Sequence, residues 1–457
     1  MPVPEVIEFE DVCFRYPDED KWILDKVSLS IKLGEKVVIT GPSGSGKTTL
    51  LYVCNRLYPD NCDGIMTGSV KLFGRESSSY AQGEVNHRVA TVFQDPDAQF
   101  CMLTVEEELA FTLENLDVDR SVMAEKIDDV LTMTGLIEFR HAVIQQLSGG
   151  EKQRIATACA LIMEPDVLLL DEPISHLDPY TARKFIAWLD ELQNQKGFTV
   201  VAIEHRLDLW GTFFDRTIEL QRMDQVPRLE KRKSSRQVEQ SLLVQDVSTP
   251  YLKKTSFHLQ KGEVAVLAGP NGSGKSTLLK ALCQLIPAKG SVVPEQLGYV
   301  PQSPEFLFVT KSVEDEVAFG GGADVQDMLE RLYLKRVAEA HPFAVSHGQK
   351  RRVAIAAMLC DGREVILMDE PTSGQDAAAL FELLQLIDER ARNGATFVIV
   401  THDMEFAYAI ADSVLLMDQG ELTGKFEADR VWANEGLLLA HHLLQPKGCV
   451  DNEVSYA

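Results

Sequence analysis

Long apolar runs are missing from this sequence. No stretch approaches the ~20 residues that a membrane-spanning helix needs. Cysteine is sparse, with 8 in 457 residues and no two in a C-x-x-C pair. A zinc or redox site is therefore not expected, and reduced, mostly buried thiols are. Basic charge is in deficit: Lys and Arg number 45 against 69 Asp and Glu, for a net charge of −24. That balance speaks against wrapping nucleic acid. The opening Met1-Pro2-Val3-Pro4-Glu5 runs straight into strand-like sequence, so no secretory signal is read there. The expectation is a soluble protein, or one peripheral to a membrane through a partner. With 45% hydrophobic residues the chain can build sizeable cores. At about 150 residues per domain it divides into two or three.

What is present is a glycine loop. Gly41-Pro42-Ser43-Gly44-Ser45-Gly46-Lys47-Thr48 follows the apolar run Val37-Val38-Ile39 and opens into Thr49-Leu50-Leu51. The order strand, Gly-x-x-x-x-Gly-Lys-Thr, helix is a P-loop. Glycines let successive backbone N–H groups turn inward around phosphate oxygens. The positive end of the following helix faces the same place. Lys47 would reach the β- and γ-phosphates, and the Thr48 hydroxyl would ligate Mg²⁺. The motif recurs as Gly269-Pro270-Asn271-Gly272-Ser273-Gly274-Lys275-Ser276 after Val264-Ala265-Val266-Leu267. Two such matches in the same context point to nucleotide binding.

The second loop is one landmark of an internal duplication. Val92-Phe93-Gln94-Asp95-Pro96 matches Val300-Pro301-Gln302-Ser303-Pro304. Leu147-Ser148-Gly149-Gly150-Glu151 matches Val345-Ser346-His347-Gly348-Gln349. Leu170-Asp171-Glu172 matches Met368-Asp369-Glu370, Ser175-His176-Leu177-Asp178 matches Ser373-Gly374-Gln375-Asp376, and Glu204-His205 matches Thr401-His402. The step from Leu147 to Asp171 equals that from Val345 to Asp369, 24 residues each. The step from P-loop Lys to Gln shrinks from 47 residues to 27, a surface shortening of small thermodynamic cost. Continuous apolar strands at 37–40, 167–170, 199–203 and 413–417 alternate with helical stretches at 151–163 and 181–193. That pattern predicts parallel sheets covered on both faces. Two α/β P-loop domains result, at 5–222 and 242–457, joined by a polar and basic linker at 223–241. The basic run at 231–236 reads as solvated linker. Near the end, 437–444 is amphipathic and reads as an interface helix; its adjacent His441 and His442 do not share a face, which argues against a metal site.

The Leu-Ser-Gly-Gly-Glu-Lys-Gln-Arg run at 147–154, beside these landmarks in both halves, resembles the signature of ATP-binding cassette (ABC) ATPases over roughly 7–424. The resemblance implies two cassettes, each a RecA-like α/β core with a helical subdomain and an antiparallel β subdomain. It implies ATP and Mg²⁺, and two cassettes pairing within the chain, so that each signature serves the opposite P-loop. Asp171 and Asp369 would hold Mg²⁺ with Thr48, Ser276, Gln94 and Gln302. Glu172 and Glu370 would polarise the attacking water, His205 and His402 contact the γ-phosphate, and Gln94 and Gln302 link the site to a partner. Gly41, Ser43, Gly44, Gly46, Lys47, Thr48 and Thr49 would cradle one nucleotide. Gly269, Asn271, Gly272, Gly274, Lys275, Ser276 and Thr277 would cradle the other. Ser148, Gly149 and Gly150, and Ser346, His347, Gly348 and Gln349, would reach the opposite γ-phosphates from helix starts. Tyr16 would stack on adenine; Tyr251 is the nearest aromatic in the second half and aligns poorly. His347 stands where the first half has Gly149, placing a β-carbon in a crowded phosphate loop. Both halves are read as hydrolytic.

Within the family three classes compete. Chromosome and repair proteins carry zinc modules or coiled coils, absent from this sequence. Soluble tandem proteins of the ribosome carry long charged linkers and basic surfaces, and remain the alternative. The blocks Thr104-Val105-Glu106-Glu107-Glu108-Leu109-Ala110-Phe111 and Ser312-Val313-Glu314-Asp315-Glu316-Val317-Ala318-Phe319 resemble ATPases of energy-coupling-factor importers of vitamins and transition-metal ions. That resemblance implies a transmembrane coupling subunit, a membrane substrate-binding subunit and a place on the cytoplasmic face of the membrane.

Overall fold

Val167-Leu168-Leu169-Leu170-Asp171 carries no polar side chain before its last position, and every residue of it is buried in a strand, Val167–Asp171. A strand apolar on both faces must be covered on both. It takes the second place in a five-stranded sheet ordered Val89–Val92, Val167–Asp171, Thr199–Ile203, Lys36–Thr40, Arg216–Glu219. All four pairings are parallel. A separate antiparallel sheet is built from Leu24–Lys32, Glu5–Arg15, Ile65–Leu72 and Arg75–Glu76.

These elements come from a computed structural model that describes residues 3–17, 22–42, 45–60, 63–175, 177–205, 207–220, 231–321 and 324–446. Contacts divide the chain into two units. The first is Met1–Leu177 with Thr181–Asp224; the second is Asp178–Tyr180 with Gln225–Ala457.

The second unit repeats the plan. Its main sheet runs Gly298–Val300, Val365–Asp369, Thr396–Val400, Val264–Ala268, Ser413–Asp418, Glu421–Glu427, parallel except for the last strand. Its antiparallel sheet joins Leu252–Gln260, Gln240–Thr249 and Lys289–Val293. The expected strands and helices appear within a few residues of their predicted ends. The helices at 151–163 and 181–193 are observed as Gly149–Leu161 and Pro179–Lys196. Both units also carry helices between the Gln loop and the signature. These are Val105–Asn115 and Arg120–Thr134 in the first, Val313–Ala318 and Val325–Arg331 in the second. Each unit is thus an α/β core with helical and antiparallel β parts, as the duplication implies.

Two expectations need correction. The basic run is not a solvated linker where it is described. Arg232 is buried, with Nε on Asp388 at 3.0 Å and Nη1 on Asp412 at 2.6 Å, and its backbone N–H donates to Ala409. Arg236 grips Glu427 with both terminal nitrogens. A basic string is solvated only when no acidic face meets it, and here the second unit supplies one. Residues 221–230 lie outside the described part. The segment at 437–444 is likewise no free interface helix. Leu438 and Leu443 enter the core beside Trp432, and His441 Nε2 lies 3.2 Å from Thr423 Oγ1.

Candidate nucleotide sites

The strand order sets four loops side by side. In the first unit Gln94 follows the strand Val89–Val92, Glu172 follows Val167–Asp171, His205 lies just past Thr199–Ile203, and the P-loop follows Lys36–Thr40. These four strands are neighbours in that order. Loops at the carboxyl ends of adjacent parallel strands form the crevice where α/β sheets bind ligands. The second unit brings Gln302, Glu370, His402 and its P-loop together in the same way.

The P-loops have no room for side chains at their first glycine. Gly41 has φ +146°, and an added Cβ would stand 2.3 Å from the Leu220 carbonyl oxygen. Gly269 has φ +148°, with the same atom 2.1 Å from that of Met417. Gly46 and Gly274 close the loops in left-handed conformation and start the helices Lys47–Cys54 and Lys275–Leu282. Lys47 Nζ donates to the carbonyls of Gly41 and Pro42 at 2.8 and 2.9 Å; Lys275 does the same to Gly269 and Pro270 at 2.8 Å. Both ammonium groups are therefore held over the cradle. Burial depresses the pKa of Lys275, against the pull of Glu370 and Asp369. Ser43 and Gly44 lie outside the described residues, as does His176.

The acidic pairs are arranged alike. Asp171 ends its strand buried, its carboxyl pushed up to about 7 by burial and then by Glu172, with the Thr48 hydroxyl and Lys47 drawing it back. Asp369 is raised for the same first reason, and Ser276 and Lys275 offset it. Both Asp369 oxygens are buried and accept no hydrogen bond in the protein. Glu172 and Glu370 follow with positive φ, 44° and 53°. Such a conformation is uncommon outside glycine and costs roughly 1–2 kcal/mol. Its recurrence at matched acids, each with its N–H on the strand Thr199–Ile203 or Thr396–Val400, marks a shared constraint. Gln94 Nε2 donates to Glu172 Oε2 at 2.9 Å, and His205 Nε2 lies 3.3 Å from the other oxygen. In the second unit His402 Nε2 lies 3.2 Å from Glu370 Oε1, and its backbone N–H donates to Oε2 at 3.2 Å. Burial, then Asp369, pushes Glu370 up to about 7.

The signatures open helices through capping boxes, Ser148 with Glu151 and Ser346 with Gln349. Each box satisfies two N–H groups at a helix start. The crowding expected at His347 lies one residue later. A Cβ on Gly149 would meet only Leu177 Cδ2 at 3.8 Å, an ordinary contact. On Gly150 it would meet Thr181 Cγ2 at 2.4 Å, and on Gly348 the Gly374 carbonyl oxygen at 2.5 Å. The third signature position therefore admits a side chain, and the fourth does not.

Tyr16 packs edge-on against Phe14 and Tyr58, with its hydroxyl 3.2 Å from Thr49 Oγ1. Tyr251 is 82% exposed.

Sequence reasoning missed the groups that hold the loop after each Gln. Glu108 is buried and its Oε2 accepts the N–H groups of Cys101 and Met102 at 2.9 and 2.7 Å. Glu316 does the same for Val309 and Thr310 at 3.0 and 2.9 Å. Lys152 bonds Asp97 at 2.7 Å, and Lys350 approaches Glu305 at 3.5 Å. Both pairs sit at matched positions of the repeat, so the duplication itself carried that signal.

The family model described as ABC transporter matches residues 24–175 and again 252–373. The chain belongs to the ABC transporter family. A Bacillus subtilis (strain 168) protein, YkoD, named for HMP/thiamine import ATP binding, is 36% identical, with 90% of each chain covered. An ABC transporter ATP-binding protein of Streptococcus agalactiae serotype V, SAG1633, is 31% identical over 96% of this chain and 94% of its own. Among solved structures an archaeal ribosome recycling factor, in complex with a ribosomal stalk protein, shares the fold at 22% identity and TM-score 0.62, covering 91% of this chain and 90% of that one. As an ABC ATPase the chain is an ATP hydrolase that uses ATP with Mg²⁺. The sites fit that chemistry: glycine cradles with no space for a Cβ, and a buried carboxylate with two unbonded oxygens beside a P-loop hydroxyl. Among the described residues no helix is long and apolar enough to cross a membrane.

Proposed function

We propose that the chain is the ATPase subunit of an energy-coupling-factor-type importer, working from the cytoplasmic face of the membrane. Its partners are a transmembrane coupling subunit and a membrane subunit that binds the cargo. The observation that carries this reading is the 36% identity to YkoD across 90% of both chains, and that relative's name favours a thiamine-type vitamin or its precursor over a metal ion. Apolar side chains beside the Gln loops support a docking role: Leu103 is 62% exposed, Phe306 87% and Val309 67%. Isolated exposed apolar residues are ordinary, but their recurrence near the Gln loop of each unit suits a partner.

In this reading the cassettes span 5–222 and 242–457, and each signature serves the P-loop of the other. Mg²⁺, when bound, would supply charge neutralisation for the transferred phosphate, and the residues named below would hold it. Lys47 and Lys275 leave their loop carbonyls for phosphate oxygens. Thr48 with Asp171, and Ser276 with Asp369, hold the metal, assisted by Gln94 and Gln302. Glu172 and Glu370 accept the proton of the water that attacks the γ-phosphorus, and ADP leaves with the β-phosphate oxygen. His205 and His402, beside these carboxylates, orient the γ-phosphate. Closure on ATP and reopening after hydrolysis drive the membrane subunits.

The test is purification of the tagged chain from membranes, followed by uptake of labelled thiamine or its pyrimidine precursor in cells with and without it. Co-purifying multi-span subunits and lost uptake support the reading. Recovery of ribosomes in their place, with uptake unchanged, sinks it.

A further inference from the structure

Arg351 is the most deeply buried cation among the described residues, with 0% of its surface exposed. No carboxylate accepts a hydrogen bond from its guanidinium. Nη1 donates to the carbonyl of Glu370, and Nη2 to the carbonyl of Gln302 at 2.7 Å. Nη2 also lies 3.2 Å from His347 Nε2. A guanidinium can only donate, so that imidazole nitrogen accepts, and His347 carries its proton on Nδ1. Burying a charge without a charged partner is costly. The fork geometry of arginine, which spans two acceptors in fixed directions, is what this position uses.

We infer that Arg351 is a positioning residue of ATP hydrolysis in the second cassette, clamping the backbone of Glu370 and of Gln302 to the first turn of the signature helix through His347. The helix His347–Cys360 begins at the signature, so His347 and Arg351 stand on one face, four residues apart. The clamp thus joins three loops that the reaction must coordinate.

The first cassette provides the contrast. At the positions of His347 and Arg351 it has Gly149 and Gln153. Gln153 is just as buried, at 3% exposure, yet its Nε2 finds no hydrogen-bond partner. There Gln94 reaches the Glu172 carboxylate by its own side chain. The two cassettes therefore secure the same glutamate differently: from the Gln-loop side chain in the first, and from the signature helix through its main chain in the second. The outer lysine ties, Lys152 to Asp97 and Lys350 to Glu305, are common to both and do not explain the difference. His347 and Arg351 both differ from the first half, and they lie in contact with each other.

This inference rests on the reading of Glu370 as the general base. The experiment uses the full chain with the first site disabled by Glu172→Gln, so that turnover reports the second site, and four variants in that parent: Arg351→Gln, Arg351→Lys, Glu370→Gln and the double variant Arg351→Gln/Glu370→Gln. Steady-state ATP turnover is measured with kcat and KM separated, together with thermal unfolding. Arg351→Gln, which installs the residue of the first cassette, is expected to lower kcat about tenfold with KM for ATP held within about twofold, because positioning acts after binding. Arg351→Lys keeps the charge but cannot fork to two carbonyls, and is expected to lose kcat as well. The double variant is expected to be no slower than Glu370→Gln alone, since both changes disable one group. Turnover within about twofold of the parent for a folded Arg351→Lys overturns the inference. So does a loss that appears in KM with kcat unchanged, or an additive double variant. If Arg351→Gln fails to fold, the lysine variant decides. Failure of Glu370→Gln to slow turnover overturns the reading of the base itself, and so separates the two.

Discussion

Gln94 and Glu172 stand 78 residues apart in the chain, and their side chains meet at 2.9 Å, amide nitrogen to carboxylate oxygen. The bond spans the ends of two neighbouring parallel strands, Val89–Val92 and Val167–Asp171. In the proposed function, the residue that would link the site to a partner subunit thus touches the residue that would activate water.

The two glutamates are the first place to test chemistry. Glu172→Gln and Glu370→Gln, made singly, each keep shape and lose the base. Each is expected to reduce turnover by roughly a hundredfold at its own site, with ATP binding retained. Phosphate release under single turnover is the measurement. A variant with undiminished turnover identifies its site as non-hydrolytic.

Gly269 tests the cradle. Gly269→Ala adds a Cβ 2.1 Å from a backbone oxygen at φ +148°. The backbone must shift, and the cost is about 2–3 kcal/mol. ATP affinity is expected to fall while the P-loop of the first unit still binds. Equilibrium binding of a fluorescent ATP analogue would then lose one of two equivalents. Two equivalents of unchanged affinity would contradict this.

Arg232 tests the chain between the units. Its side chain is 1% exposed and bonds Asp388 and Asp412, and Asp412 also accepts the N–H of Val264 at the base of the P-loop strand. Arg232→Met leaves the buried Asp412 without its cation, while Asp388 keeps Arg392. Breaking a buried pair on one side costs about 3–5 kcal/mol. Urea unfolding of the full chain should show the loss in one transition. A change below about 1 kcal/mol would mean the segment behaves as a surface linker.

The thiols give a chemical map. Cys54 is fully enclosed, and burial pushes its pKa up to about 12; Cys283 is pushed up to about 12 for the same reason. The thiolate is the reactive form, so neither reacts at pH 8. Cys101 is exposed, beside the loop held by Glu108. Among the described residues, alkylation of the native chain is expected at Cys101 first, with Cys54 and Cys159 labelled only after unfolding. Mass spectrometry of digests reads the order. Early labelling of Cys54 would show that the core around the helix Lys47–Cys54 opens.

Much of this was legible without coordinates. The P-loops, acidic strands, histidines and signatures are local, and each chemistry needs its residues at fixed short spacings. The duplication extended that legibility, because a glutamine or histidine that means little alone means more when matched. What the sequence concealed are contacts between segments far apart in the chain. Arg232 looked like one more cation in a polar string, yet the acids that bury it lie 156 and 180 residues away. His347 looked like an obstruction because the open side of its loop cannot be seen from sequence. Glu108 and Glu316 lie in the acidic blocks that carried the importer resemblance, and their part as buried acceptors of N–H groups six and seven residues back was not read from those blocks.

The sequence by itself determined the family, the duplicated fold and the candidate residues of two nucleotide sites, because those are set by residue type and near-neighbour spacing. Only the tertiary structure decided how Glu172 and Glu370 are held. The Glu172 carboxylate accepts from the Gln94 side chain, the Glu370 main-chain carbonyl from Arg351 on the signature helix, and the difference depends on which strands and helices pack together. Hydrogen bonds reach about 3 Å, and only folding brings residues that distant in sequence within that reach.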